Sequence, residues 1–178
     1  MNLPLKKQTG AALFLSLIFL LILTILGISS MSDSVMQTKM AGAVQDSNIA
    51  LQGAESALKD AESFIEDNVA SLSLFTDAGN NGLYSDASTA MPDNYTDSEW
   101  TDTKSKKASA ITGLSTEPRY YIQYVGIVSD EDNTSINVNT YSHESGSGEI
   151  YGFKITARST GGSGQTQRII ESYYGKRF

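Results

Sequence analysis

Between Pro4 and Pro92 the chain has no proline, and within that interval residues 11–28 form an almost wholly apolar run in which only Ser16 and Thr24 carry hydrogen-bonding side chains. Both can bond back to the preceding turn of a helix. At about 1.5 Å per residue the run reaches roughly 27 Å, close to the ~30 Å hydrocarbon core of a bilayer, so it is long enough to span one. Lys6 and Lys7 stand before the run and the next cation after it is Lys39. The positive-inside tendency therefore predicts a cytoplasmic N-terminus and an exported remainder.

The residues leave three readings of this segment open: a discarded export signal, a permanent anchor, or a helix that occupies the membrane only for a time. Gly27, Ser29 and Ser30 are small enough to serve a signal-peptide cleavage site. The run is nevertheless longer than the ~7–15 residues of a signal core, and helical periodicity continues past it. Val44, Ser47, Leu51, Ala54, Leu58, Ala61 and Ile65 follow steps of three and four residues, which predicts an amphipathic stripe. Glu55 and Lys59 stand four apart in the favourable order. The expectation is one long helix over residues 11–67, lipid-facing in 11–30 and amphipathic in 31–67. Gly27 and Gly42 are its weak points, each costing about 1 kcal/mol relative to alanine.

Residues 68–118 are rich in Ser, Thr, Asp, Asn and Gly and read as a long loop region. Its aromatics Tyr84, Tyr95 and Trp100 have one plain role, that of pinning the loop to the rest of the domain. Pro118 ends the loop, and four strands are expected at 119–128, 134–141, 149–158 and 165–174, where β-branched and aromatic residues alternate with polar ones. A four-stranded antiparallel sheet over 119–178 has one face to bury, and the amphipathic stripe has one face to offer. The fold class is α+β.

Composition excludes several functions. Lys and Arg total 13 against 20 Asp and Glu, a net charge of −7, so direct nucleic-acid binding is not expected. The three lysines Lys104, Lys106 and Lys107 are the only basic cluster in the exported part, and such a cluster is usually a solvated patch. With no cysteine, disulfides and thiolate metal sites are excluded. The single histidine, His143, lies in a polar turn without a convergent triad. Asp130, Glu131 and Asp132, and Asp77 with Asn80, Asn81 and Asp86, lack the spacing of a calcium loop. "GGSGQT" at 161–166 lacks the lysine of a phosphate loop and reads as a hairpin turn. No catalytic residue, metal site or cofactor is expected.

The basic leader ending in Gly10, followed by "AALFLSLIFLLILTILGISSM" and "KMAGAVQDSNIALQGAESALKDAE", resembles the N-terminal region of the PilX-type minor pilins of type IV pili; "EPRYYIQYVG" and "ITARSTGGSGQTQRIIESYY" resemble the same family. The resemblance implies the type IV pilin fold, a long helix on an antiparallel sheet. It implies a leader over residues 1–10, cut by a prepilin peptidase between Gly10 and Ala11, and N-methylation of Ala11. Most pilins begin with phenylalanine and carry glutamate at the fifth mature position; here Ala11 and Leu15 stand there. An unpaired carboxylate in lipid is costly, so Leu15 fits a subunit with no neighbour above it, at the fibre's start or tip. The segment between helix and sheet commonly contacts neighbours in pilins, which makes Tyr84, Tyr95 and Trp100 candidate interface aromatics. The implied partners are other minor pilins, the major pilin, a tip adhesin, the prepilin peptidase and, before assembly, the inner membrane. The implied role is a tip or priming complex supporting adhesion, twitching motility or DNA uptake. Two alternatives are a minor pseudopilin of a type II secretion system and a membrane-tethered periplasmic binding module that never polymerises.

Overall fold

The computed structural model describes residues 10–128 and 149–178. The strand expected at 134–141, the acidic residues Asp130, Glu131 and Asp132, and His143 lie outside the described residues, as do Lys6 and Lys7.

Helix α1 spans Ala11–Asn68, one residue beyond the sequence expectation. The absence of proline explains why nothing interrupts it, and Gly27 and Gly42 are both accommodated within it. Contacts divide the chain into two units, Met1–Val44 and Gln45–Phe178. In the first, the described large apolar residues are exposed apart from the half-buried Ile18.

In the second unit the helix buries Ala50, Gly53, Ala54, Ala57, Ala61 and Ile65. This differs from the expected stripe: Val44 and Leu51 are exposed, and Ser47 accepts hydrogen bonds from Arg168. The buried seam is chosen by size rather than hydropathy, because alanine and glycine let another backbone approach closely. At Gly53 a Cβ would overlap the Ser159 hydroxyl and lie 2.8 Å from Leu114 Cδ1.

Among the described residues the sheet has five strands: β1 (Leu83–Tyr84), β2 (Lys106–Lys107), β3 (Arg119–Ile127), β4 (Ile150–Thr160) and β5 (Gln167–Arg177). Their order is β1-β3-β4-β5, with β2 also paired to β3. Strands β3, β4 and β5 form an antiparallel meander in which Ile122 faces Ile155 and Ile155 faces Ser172. The sheet is mixed rather than wholly antiparallel, because β1 runs parallel to β3. Two-residue strands carry no period, so β1 and β2 were invisible inside a polar segment that reads as loop.

Each face of the sheet carries a buried cluster. Ala57, Ala61 and Ile65 of α1 join Tyr120, Ile122, Phe153, Ile155 and Ala157 in the main core, with Val69, Phe75 and Leu83 closing it. Ile65, Ile122, Phe153 and Ile155 are fully buried, each contributing about 1.5–3 kcal/mol. On the opposite face a smaller core of Tyr84, Trp100 and Tyr121, flanked by Met91, places loop residues on the sheet.

Polar contacts hold helix and sheet together at both ends of the packed segment. Asp46 accepts hydrogen bonds from the Ser163 backbone N–H at 2.9 Å and from its hydroxyl at 2.6 Å, which anchors the glycine-rich β4–β5 turn. At the helix C-terminus, Lys176 Nζ donates to the carbonyls of Ile65, Glu66 and Val69 at 2.7, 2.7 and 2.9 Å. A lysine there satisfies the Glu66 and Val69 carbonyls, adds a second bond to that of Ile65, which also accepts the Val69 amide, and sits at the negative end of the helix dipole. The Tyr174 hydroxyl donates to Glu66 beside it.

Candidate functional site

The first candidate surface is the apolar part of α1. An 18-residue window in it has a mean hydropathy of 2.9 and no buried residue. Ser16 and Thr24 donate to the carbonyls of Leu13 and Leu21, both at 2.8 Å, so neither hydroxyl presents an open donor to lipid or to another helix. Leu15 is exposed among its leucine neighbours. Past the run, Met31, Val35, Met36 and Met40 are exposed as well, so apolar surface continues toward Val44. Gly10, immediately before the helix, has φ of +136°, a conformation open to glycine and closed to most side chains. Its carbonyl accepts the Phe14 amide at 3.3 Å.

The three candidate interface aromatics separate. Tyr84 is 0% exposed and Trp100 is 5% exposed, so both fasten the loop to the sheet rather than face a neighbour. The Tyr84 ring meets Tyr121 edge-on at 5.6 Å, and Trp100 lies 5.5 Å from Tyr121. Tyr84 donates to the Lys104 carbonyl at 2.8 Å and Trp100 Nε1 to the Asp93 carbonyl at 3.2 Å. Burial, followed by the nearby Tyr121 and Glu99, pushes the Tyr84 phenol up to about 12. Tyr95, at 84% exposure, is the one of the three that offers an aromatic surface.

The lysine cluster is dispersed. Lys104 pairs with Glu99 and Lys107 with Glu117, both at 3.1 Å, while Lys106 lies 4.2 Å over the Phe64 ring. A free basic patch therefore does not form from these three residues. Asp77 accepts the Ser85 hydroxyl, and among the described residues no group of three or more His, Cys, Asp or Glu gathers.

Sequence reasoning missed a cavity of about 600 Å³ beside the smaller core, lined by Asp97, Trp100, Lys107, Glu117, Arg119 and Arg158 among others. Arg119 and Arg158 are partners across the β3–β4 ladder, and the Arg158 guanidinium lies 5.4 Å from the centre of the Trp100 ring. Arg119 pairs with Asp102 and Arg158 with Asp97. The Asp102 carboxyl is held below its usual range, first by its hydrogen bond from Arg119 and then by that charge. The signal lay in "EPRYY" and "ITARS", each with one arginine at the same end of adjacent strands, but only the register brings them together.

The family model described as Type IV pilus assembly protein PilX C-term matches residues 73–176, and the PilX N-terminal model matches residues 9–59. The chain belongs to the PilX family. It is a minor pilin of a type IV pilus, and PilX pilins are structural components that act with other parts of the pilus. No curated protein and no solved structure matches this PilX-family chain. The N-terminal match ends inside the buried seam of α1, and the C-terminal match takes in the cavity, β1 to β4 and all but the last residue of β5.

Proposed function

We propose that this minor pilin belongs to a tip or priming complex that initiates fibre assembly and supports adhesion, twitching motility or DNA uptake. The observation that carries the reading is α1 itself: one helix, Ala11–Asn68, whose first half leaves its apolar surface without a partner among the described residues and whose second half forms the seam of a folded domain. Such a surface is stabilised by lipid before assembly and by neighbouring helices afterwards. Residues 1–10 are then a leader, 11–30 the inner-membrane span with its N-terminus cytoplasmic, 31–67 the amphipathic half, 68–118 the connecting region and 119–178 the sheet region in the periplasm.

The reading assigns cleavage between Gly10 and Ala11 to a prepilin peptidase, followed by methylation of the new amine on Ala11. The exposed, positive-φ Gly10 supports a cut at that bond. Leu15 removes the unpaired carboxylate that a topmost subunit would otherwise hold in lipid, a cost of about 2.5–3.5 kcal/mol on insertion scales. Tyr95 is the aromatic offered to other minor pilins, to the major pilin or to a tip adhesin.

The deciding measurement is the N-terminal residue and its mass in mature protein from cells with and without the peptidase. An N-methylated Ala11 that depends on the peptidase is expected. An intact Met1, or an N-terminus near Ser30, would overturn the assembly reading in favour of a tethered or released periplasmic domain. Cross-linking of the mature protein to pilus rather than secretion components distinguishes the minor pilin from a type II secretion pseudopilin.

A further inference from the structure

Arg119 and Arg158 stand directly opposite each other on β3 and β4, an arrangement of like charges that is unfavourable unless each is neutralised. Arg119 is well supplied: its Nε donates to Ser105 Oγ at 2.8 Å, and its Nη2 donates to Asp102 and to the Ser105 carbonyl. Arg158 is not. Its side chain is 10% exposed and its Nε is buried without a partner among the described residues. Its Nη2 holds a single oxygen of Asp97, and that same oxygen also accepts Gln167 Nε2 at 2.7 Å. The Nε–Nη2 edge of a guanidinium is shaped for both oxygens of one carboxylate. Here it is half filled, by a shared oxygen of a residue that is 69% exposed.

We propose that the cavity is a carboxylate socket that takes an acidic side chain of a neighbouring pilus subunit, with Arg158 making the two-oxygen contact and Asp97 the internal carboxylate that gives way. The proposal rests on the reading of the chain as a fibre subunit. Three observations favour a single protein carboxylate. Lys107 and Arg119 are already paired, with Glu117 and Asp102, which leaves the half-filled edge of Arg158; one open fork suits one carboxylate and not a phosphate chain, whose binding needs several cations. Ser115, Thr116 and Thr160 add hydroxyls to the lining. The cavity's 600 Å³ admits an acidic side chain with its flanking backbone.

Trp100 is the chain's only tryptophan, and its ring lies against Arg158, so its fluorescence reports on the socket directly. The full chain in detergent micelles is titrated with an end-blocked tetraglutamate peptide, with tetraglutamine of the same length and with an oligothymidylate. A saturable change is expected with tetraglutamate alone. Arg158→Lys keeps the charge and loses the fork, and is expected to weaken binding about tenfold. Asp97→Asn removes the competing carboxylate and is expected to tighten binding about threefold or more. If Asp97 serves only to fasten the loop, Asp97→Asn lowers the melting temperature and shows no saturable binding, which overturns the socket. Saturation by oligothymidylate, or equally by tetraglutamine, overturns it too. In parallel, sheared pili are immunoblotted for the chain. Presence in fibres without tetraglutamate binding sinks the socket and leaves the subunit reading standing. Binding without presence in fibres overturns the neighbouring subunit as partner.

Discussion

Gly79 carries a constraint that no other residue type meets. Its φ is +71°, and a Cβ there would fall inside the ring of Tyr84, the largest fully buried side chain of the described residues. Gly79→Ala is expected to cost roughly 2–4 kcal/mol, part for the left-handed backbone and part for displacing a packed ring. Urea melts followed by Trp100 fluorescence measure it; an unchanged midpoint would show that the ring has room to yield. Neighbouring Asn81 takes a similar conformation at φ 54°, as asparagine tolerates. "DAGNNGLY" reads in the sequence only as part of the long polar loop. It did not announce that the tyrosine closing it would fold back beneath the glycine, since that contact depends on where Lys104 and Tyr121 lie. The same limit hid Arg158, whose partners Asp97 and Trp100 are about 60 residues away in the chain.

At the scale of elements, the long helix and the three long strands were readable because each repeats its pattern for many residues. The helix ended within one residue of its expected end, and Phe153, Ile155 and Ala157 share a face as alternation predicts. The seam of α1 was less legible: Ala54, Ala61 and Ile65 fit, whereas Val44 and Leu51 are exposed and Ala50, Gly53 and Ala57 take the buried places. Hydropathy ranks valine and leucine above glycine, but the distance between helix and sheet is set by volume. The end of α1 depends on another element altogether, because Lys176 of β5 satisfies its last carbonyls. Lys176→Met keeps much of the stem's packing and removes all three hydrogen bonds. A loss of about 1–3 kcal/mol is expected, with amide exchange accelerating first over residues 62–68. Uniform acceleration across the helix would argue against a local cap.

For the whole molecule, acid is the condition under which the polar clasps fail. The carboxyls of Asp46, Asp93, Glu99 and Asp102 are held below their usual range, chiefly by hydrogen bonds from Ser163, Thr96, the Asp93 amide and Arg119 respectively. A carboxyl with a lowered folded value stabilises the native state above its unfolded value, and that contribution is lost as pH falls through the lowered one. Melting temperature is therefore expected to hold steady from neutral pH to about pH 5 and then to decline. Asp46→Asn is expected to start from a lower plateau and decline less steeply. A parallel decline would exclude Asp46 from the acid response. The Lys176 cap has a different consequence, one of timing. The carbonyls it satisfies lie 107 to 111 residues upstream in the chain, so the helix is synthesised before the side chain that finishes it. A subunit that lacks Lys176 presents an unfinished helix end. Synthesis through β5 is thereby written into the fold, and only a subunit that contains that strand has a sealed junction between its helix and its sheet.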